Sequence, residues 1–247
     1  MKFEQPDPDS SAVGFLGYVP DPMRYEYYDP SMFEAHNTIA SLIAPTSSVL
    51  EIGCGSAILG DVLKERGINN YEGIEPSKQR ATASQAKGYR VHPIYLTEET
   101  ARTLGSYDVV ILADVLEHLE NPSMMLSHAR ALMHNQSVLI LSVPNIAHWS
   151  VRLRLLTGRF NYTETGILDA THLRWFTRSS LQRYLENCGF KIAQHRYTSG
   201  YSLPTYAGLK KIFSYIMQEN RQRRLLAKIV DRWPELFACQ FVYECRP

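Results

Sequence analysis

The stretch VLEIGCGSAILG, Val49 to Gly60, narrows the fold more than any other part of the chain. An apolar run carries a carboxylate at Glu51 and stops at two glycines separated by one cysteine: Gly53, Cys54 and Gly55. Glycine tolerates left-handed dihedrals and close backbone approach, so the pattern reads as a strand turning sharply into a helix that begins near Ser56. A helix start of this kind offers unpaired N–H groups to a carboxylate or phosphate. The apolar runs NNYEGIE, YRVHPIY and YDVVILA follow with helical stretches between them, and QSVLILSVP comes after the helical segment PSMMLSHARALMH. Strands alternating with helices predict an α/β fold on a parallel sheet, with the ligand beyond the carboxyl ends of the strands.

Two nucleotide-type ligands compete for such a turn. A dinucleotide fingerprint, G-x-G-x-x-G, needs glycine at position 58, where Ile58 stands, and this argues against an NAD-dependent oxidoreductase. Glu75, in YEGIEPS, lies 20 positions beyond Gly55 at the end of the second strand, where an acidic side chain can accept both hydroxyls of a ribose. Adenosine is implied in either case.

Charge excludes one class of partner. With 26 Lys+Arg against 25 Asp+Glu, the net charge of +1 gives no broad footprint for a phosphate backbone, so nucleic acid is not the expected partner and small molecules come first. The four cysteines, Cys54, Cys188, Cys239 and Cys245, are too scattered for a zinc half-site or a disulfide ladder, and read as free thiols in a reducing compartment. The N-terminus is polar and proline-broken, and no later segment approaches ~20 continuous apolar residues, so the expectation is a cytoplasmic protein with no integral membrane span.

Around this core, SMFEAHNTIASLIA carries Phe33, Ile39, Leu42 and Ile43 at helical spacing, with Asp29 to Ser31 as cap residues. The long connection from Asn145 to Thr177, rich in aromatic and basic residues, reads as a substrate wall. RSSLQRYLENCGF is a helix ending at Gly189, and KIAQHRYT and CQFVYECR are strands. Between them lies a helical insert, Leu203 to Trp233. It has an apolar face at Leu209, Ile212, Phe213, Ile216 and Met217, then a cationic stretch with Arg221, Arg223, Arg224, Lys228 and Arg232. The insert is read as a lid or homodimer contact in preference to a membrane surface or partner helix. The chain is thus expected to be a single domain, 1–247. Residues 1–45 form an arm and helix, 46–198 the cofactor-binding core, 199–235 the insert and 236–247 the last strand.

VLEIGCG, GIEPS and YDVVILADVLEHLENP together resemble the S-adenosylmethionine-binding motifs of class I methyltransferases, of the small-molecule group that includes ubiquinone-type O-methyltransferases. The later stretch SVPNIAHWSVRLRLLTGRFNYTETGILDATHLRWFTRSSLQRYLENCGF resembles methyltransferases of surface-glycan and secondary-metabolite pathways, and more distantly the methionine-biosynthesis protein MetW. The resemblance implies a Rossmann-like sheet of seven strands, mostly parallel with an antiparallel last strand, helices on both faces and the insert before that strand. It implies S-adenosylmethionine as cofactor. Glu51, Gly53, Cys54 and Gly55 would line its methionine half, and Glu75 with Pro76 its ribose. Ala113 and Asp114 would approach the sulfonium, His118 would pack nearby, and tyrosines of MRYEYYDPSMF, Tyr28 among them, would close over the amino-acid end. Where the family often has an adenine-binding aspartate, this chain has Tyr95 or Leu96.

Methyl transfer from a sulfonium is an in-line displacement in which the protein mainly aligns the groups, but a hydroxyl acceptor must also lose its proton. A neutral histidine is the usual base. His172, in DATHLRWF, is the preferred candidate and His148, in NIAHWS, the second; each also has a structural reading, His172 by bonding Asp169 or a backbone carbonyl. Asp114, Glu117 and His118, or Asp169 with His172, have the chemistry of metal ligands. Neither set brings a third well-placed partner, so no metal is expected. Arg152, Arg154, Arg159 and Arg174 suit an anionic substrate or acidic neighbours. The expected function is methylation, on oxygen, of a sugar, secondary metabolite or other small molecule; the rival is a non-catalytic cofactor-binding partner of a biosynthetic enzyme.

Overall fold

The computed structural model describes residues 16–18, 21, 23–25, 29–31, 33–202, 206, 211 and 217–247. Helix α1 (Ala35–Ala40) leads into strand β1 (Val49–Ile52) and helix α2 (Ile58–Glu65); β2 (Tyr71–Ile74), α3 (Lys78–Ala86), β3 (Arg90–His92) and α4 (Glu98–Ala101) follow. Then come β4 (Tyr107–Ala113), a 3-10 turn (Leu116–His118), α5 (Pro122–Ala131), β5 (Met133–Pro144), α6 (Trp149–Leu156), α7 (Arg178–Asn187) and β6 (Lys191–Thr198). The chain closes with α8 (Glu219–Arg232), α9 (Pro234–Phe237) and β7 (Gln240–Arg246).

The seven strands form one sheet in the order β3-β2-β1-β4-β5-β7-β6. All run parallel except β7, which is antiparallel to both β5 and β6, as CQFVYECR was expected to be. The central strands are buried on both faces, and alternate residues enter two different cores. Leu50, Ile52, Val110, Leu112, Leu139, Leu141, Phe241 and Tyr243 join Leu126 of α5, Leu181 of α7 and Val230 of α8 on one side. Val49, Val109, Ile111, Ile140 and Val242 join Ile39 of α1, Val62 of α2 and Ala81 of α3 on the other. This period-two exchange between apolar layers is what continuous Val/Ile/Leu runs encode in a parallel sheet.

Three boundaries differ from the sequence reading. Helix α1 is shorter than its apolar spacing suggests, since Leu42 and Ile43 fall beyond it. Asp29 and Ser31 cap no helix; their side chains accept from the N–H groups of Ser31 and Phe33 in local turns. Helix α5 stops at Ala131, and the Met133–His134 pair that looked helical begins β5 instead, recruited by pairing of Met133 with Tyr107. Leu209, Ile212, Phe213 and Ile216 of the insert, like Tyr28 of the arm, lie outside the described residues. All four cysteines are free thiols. Among the described residues no helix is long and apolar enough to cross a membrane.

From β1 the chain builds outward through β2 and β3, then returns to lay β4 on the other side of β1. The crevice between the carboxyl ends of β1 and β4 is the topological switch point, where open α/β sheets bind ligands.

Candidate functional site

At the end of β1, Gly53 and Gly55 both take positive φ, 75° and 54°. A methyl group on Gly53 would sit 2.9 Å from Val115 Cγ2, whereas one on Gly55 would meet nothing within 4 Å. Gly53 therefore permits packing of the turn after β1 against the turn after β4, and Gly55 opens onto free space. Ala57 is left-handed as well, φ 58°, and only after it does helix α2 begin, at Ile58 and with no side-chain cap. The Ser56 hydroxyl is buried here without a hydrogen-bond partner. An orphaned buried donor beside an uncapped helix start and an open cradle fits a polar ligand with an anionic end. The S-adenosylmethionine implied by the resemblance has such an end.

Carboxylates organise this turn. Glu75, at the end of β2, accepts from the Gly55 and Ser77 N–H groups at 2.9 and 2.8 Å, and pairs with Arg80 at 3.4 Å. Glu51 is buried and accepts from the Tyr71 hydroxyl at 2.5 Å. Burial, with Glu75 nearby, pushes the Glu51 carboxyl up to about 8. Pro76, between Glu75 and the N-cap Ser77 of α3, cannot extend the strand and turns the chain away. The Cys54 side chain faces away from the crevice into the apolar core, against Gly73, where a Cβ would lie 2.4 Å from its sulfur. Of the expected contacts of Cys54, only those of its backbone remain, and its N–H is already spent on the Ile74 carbonyl.

Beyond β4, Asp114 has φ 53°, and its carboxylate is held by Ser142 Oγ at 2.9 Å and Gln240 Nε2 at 2.6 Å. Burial raises it to about 6. Its side chain is thus tied to β5 and β7. Ala113 is half-buried at the same edge.

The 3-10 turn that follows does what the sequence could not announce. The Glu117 carbonyl accepts from the N–H groups of Leu173 and Arg174, at 2.7 and 2.9 Å, and draws the loop after α6 down onto this turn. His118 and His172 meet edge to face with ring centroids 4.8 Å apart. His172 Nδ1 lies 3.2 Å from the Ile167 carbonyl, so the carbonyl reading of this residue holds in place of a bond to Asp169. Asp169 instead accepts from the Thr171 hydroxyl at 2.6 Å and from Tyr25, whose ring lies under Arg24, also at 2.6 Å. That contact joins the N-terminal arm to the histidine loop. Burial lowers both histidines, His118 to about 3, so both imidazoles are neutral.

His148 is placed differently. It is fully buried, its Nδ1 caps α6 by accepting from the Ser150 N–H at 3.4 Å and lies 2.8 Å from the Ser150 hydroxyl, and its Nε2 meets the Tyr206 hydroxyl at 3.1 Å. Both ring nitrogens are committed to the scaffold. Arg152 and Arg174 likewise bond backbone carbonyls, those of Ala147 and Glu120, at 2.5 and 2.6 Å. Where the adenine-binding aspartate was missed, Leu96 is in the core and Tyr95 remains 37% exposed. The residue overlooked in the sequence is Thr171, whose hydroxyl acts only once the loop is folded; Tyr25, an arm tyrosine, meets Asp169, and Glu117, read in the sequence only beside Asp114 and His118, is a buried carboxylate without a hydrogen-bond partner.

This chain is similar to known proteins. The family described as "Methyltransferase domain" matches residues 24–195. A ubiquinone biosynthesis O-methyltransferase of Rickettsia canadensis is 26% identical over 177 residues, covering 70% of this chain and 73% of its own. A magnesium-protoporphyrin O-methyltransferase of Synechocystis is 29% identical over 174 residues, covering 66% and 73%. The crystal structure of a magnesium protoporphyrin IX methyltransferase from Synechocystis with bound S-adenosylmethionine superposes with a TM-score of 0.53 at 19% identity, over 98% of both chains.

Proposed function

The chain belongs to the methyltransferase-domain family and uses S-adenosylmethionine as methyl donor, and from that premise we propose that the acceptor atom is a hydroxyl oxygen of a small, ring-bearing metabolite such as a sugar or phenol. When bound, the donor supplies a methyl group already activated on sulfonium; the protein's share is to hold, orient and deprotonate. Gly53 and Gly55 leave the backbone close and the cradle open, while Ser56 offers a free hydroxyl to the amino-acid end. Glu75 is fixed by two backbone N–H groups and keeps lone pairs for a ribose. Tyr95, the more exposed member of its pair, would present its ring to the adenine.

One observation carries the oxygen reading. A carbonyl cannot donate, so the His172 proton resides on Nδ1, facing Ile167, and the Nε2 lone pair is left to receive a proton from an acceptor hydroxyl. Its lowered pKa keeps that lone pair available at neutral pH. Trp175, three positions on, stands with Phe160 and Tyr162 in an aromatic cluster that offers a wall to a ring. Two relatives named as O-methyltransferases support the same acceptor atom.

The test is to incubate the full chain with isotopically labelled donor and a panel of sugars, phenols, carboxylic acids and amines, then locate the label by mass spectrometry. Label on hydroxyl oxygen is expected. Transfer only to nitrogen or carbon overturns the proposal.

A further inference from the structure

Glu117 is the least explained group in the molecule. It is 1% exposed, and neither carboxylate oxygen has a hydrogen-bond partner. Burying a carboxyl group without partners is costly whether it is ionised or neutral, and native proteins rarely leave one so. Its neighbours are not apolar. One Glu117 oxygen and one ring nitrogen from each of His118 and His172 all lie within 4.8 Å of one another.

The partners of the two rings point the same way. The Ile167 carbonyl fixes the His172 proton on Nδ1. The Thr171 hydroxyl gives its proton to Asp169 at 2.6 Å, so at 3.0 Å from His118 Nδ1 it can only accept, which fixes that proton on Nδ1 too. Each imidazole is therefore oriented by an acceptor behind it and keeps its Nε2 lone pair for something else. An outer acceptor on one ring nitrogen, with the other left bare, is how proteins prepare histidines for a metal ion.

We propose that Glu117, His118 and His172 form a binding site for a divalent first-row metal ion, with Thr171 and Asp169 as positioning residues. Two imidazoles and one carboxylate suit zinc, iron, manganese or cobalt(II), and leave positions for an exogenous oxygen ligand. Ligand atoms about 2.1 Å from a tetrahedral ion would stand about 3.4 Å apart, so from a spread of up to 4.8 Å the cluster would close by up to about 1.4 Å on loading. The inference rests on the hydroxyl-acceptor reading for its purpose. A coordinated hydroxyl is acidified and loses its proton to solvent, and the His172 lone pair, then committed to the ion, acts as a free base only in ion-free protein.

The experiment strips the full-length protein with a chelator and titrates it with CoCl2 and, separately, ZnCl2, by calorimetry and by the visible absorption of bound Co2+. One equivalent should bind, with the intense absorption of a low-coordinate site. Glu117→Gln and His172→Ala should each weaken binding by at least about 100-fold. Thr171→Val should weaken it about 10- to 100-fold while Thr171→Ser restores it, a rescue that a merely structural role would not produce in the Co2+ spectrum. Each variant is checked for folding by circular dichroism, and where Glu117→Gln does not fold, His172→Ala and the Thr171 pair decide. No binding by the wild type, or undiminished binding by the folded variants, overturns the site. Affinity for S-adenosylhomocysteine is measured in parallel. Cation failure with intact S-adenosylhomocysteine binding removes only the metal site, whereas Co2+ binding without S-adenosylhomocysteine affinity removes only the methyl-transfer reading.

Discussion

At the end of β1 the carboxylates find partners no more than 20 positions away on the neighbouring strand and its turn, whereas at the end of β4 the Glu117 carbonyl is met by a loop more than 50 positions away. Glu75 reaches back to the Gly55 N–H and forward to Ser77, and Glu51 meets Tyr71 on the adjacent strand. These bonds form as soon as β1 and β2 pair. Glu117, His118 and Asp114 depend on partners from β5, β7 and the loop around His172. On the proposed function the difference separates a donor half, nearly complete in one supersecondary unit, from an acceptor half that exists only in the finished fold. Chemistry that varies between relatives is more easily changed in the second, since loops on a rigid scaffold tolerate alteration.

The largest effect that would break this comparison is expected at the histidines. In ion-free protein, His172→Ala should lower kcat by about 100- to 10000-fold with little change in stability, as loss of a general base does. His148→Ala should do the reverse. Loss of an N-cap costs about 0.5–2 kcal/mol, seen as a lower midpoint in urea, while turnover per folded molecule changes little. Equal losses of turnover in both variants would erase the distinction drawn between them.

Next come the glycines of the donor half. Gly53→Ala places a methyl against Val115 in a left-handed position and should cost roughly 2–4 kcal/mol of stability. Gly55→Ala, with nothing near its Cβ, should cost only about 1–2 kcal/mol yet reduce affinity for S-adenosylhomocysteine at least about tenfold, because the methyl enters the cradle. Calorimetry beside thermal melts separates the two outcomes. Unimpaired binding by Gly55→Ala would mean that the cradle lies elsewhere.

A pH effect sharpens the contrast further. Glu51, ordinarily near 4.5, sits at about 8, so between these values the folded chain keeps a proton that the unfolded chain has lost. Its contribution to stability is complete below pH 4.5 and is lost as pH rises toward 8. Glu51→Gln should flatten the melting temperature across that window relative to wild type. If the cationic donor binds beside Glu51, its binding should also release protons near pH 7, read from calorimetry in buffers of different ionisation enthalpy. The smallest change is Ala57→Gly. Relief of a left-handed alanine by about 1 kcal/mol slightly exceeds the lost burial of one methyl, about 0.8 kcal/mol, leaving stability within about 0.5 kcal/mol of wild type in urea.

Much of the donor half could be read along the chain. Gly53 and Gly55 had to lie at a turn because only glycine is at ease at both their dihedrals, and Glu75 followed from the length of one strand-helix-strand unit. The Cys54 side chain escaped the reading because which way a residue between two glycines points is set by what lies across from it, here a strand residue with no Cβ, Gly73. The histidines resisted for a related reason. His118 and His172 look alike in sequence to His148, yet one group shares an interior with an unpartnered carboxylate and the other is saturated by Ser150 and Tyr206. Of the two sets with metal-ligand chemistry in the sequence, Glu117 and His118 of the first and His172 of the second come together where the Glu117 carbonyl pins the loop, and the proposed metal site uses that grouping.

What the amino-acid order determined by itself was periodic and local: alternation through a doubly buried sheet, backbone freedom at the turn, and the acidic residue one unit further on. These follow from bond geometry and from apolar groups leaving water, and both act between near neighbours. Tertiary structure alone decided which buried carboxylate met a partner and which imidazole nitrogen was left bare. Those outcomes depend on hydrogen-bond geometry between segments far apart in the chain, fixed only when the sheet, the 3-10 turn and the loop come together.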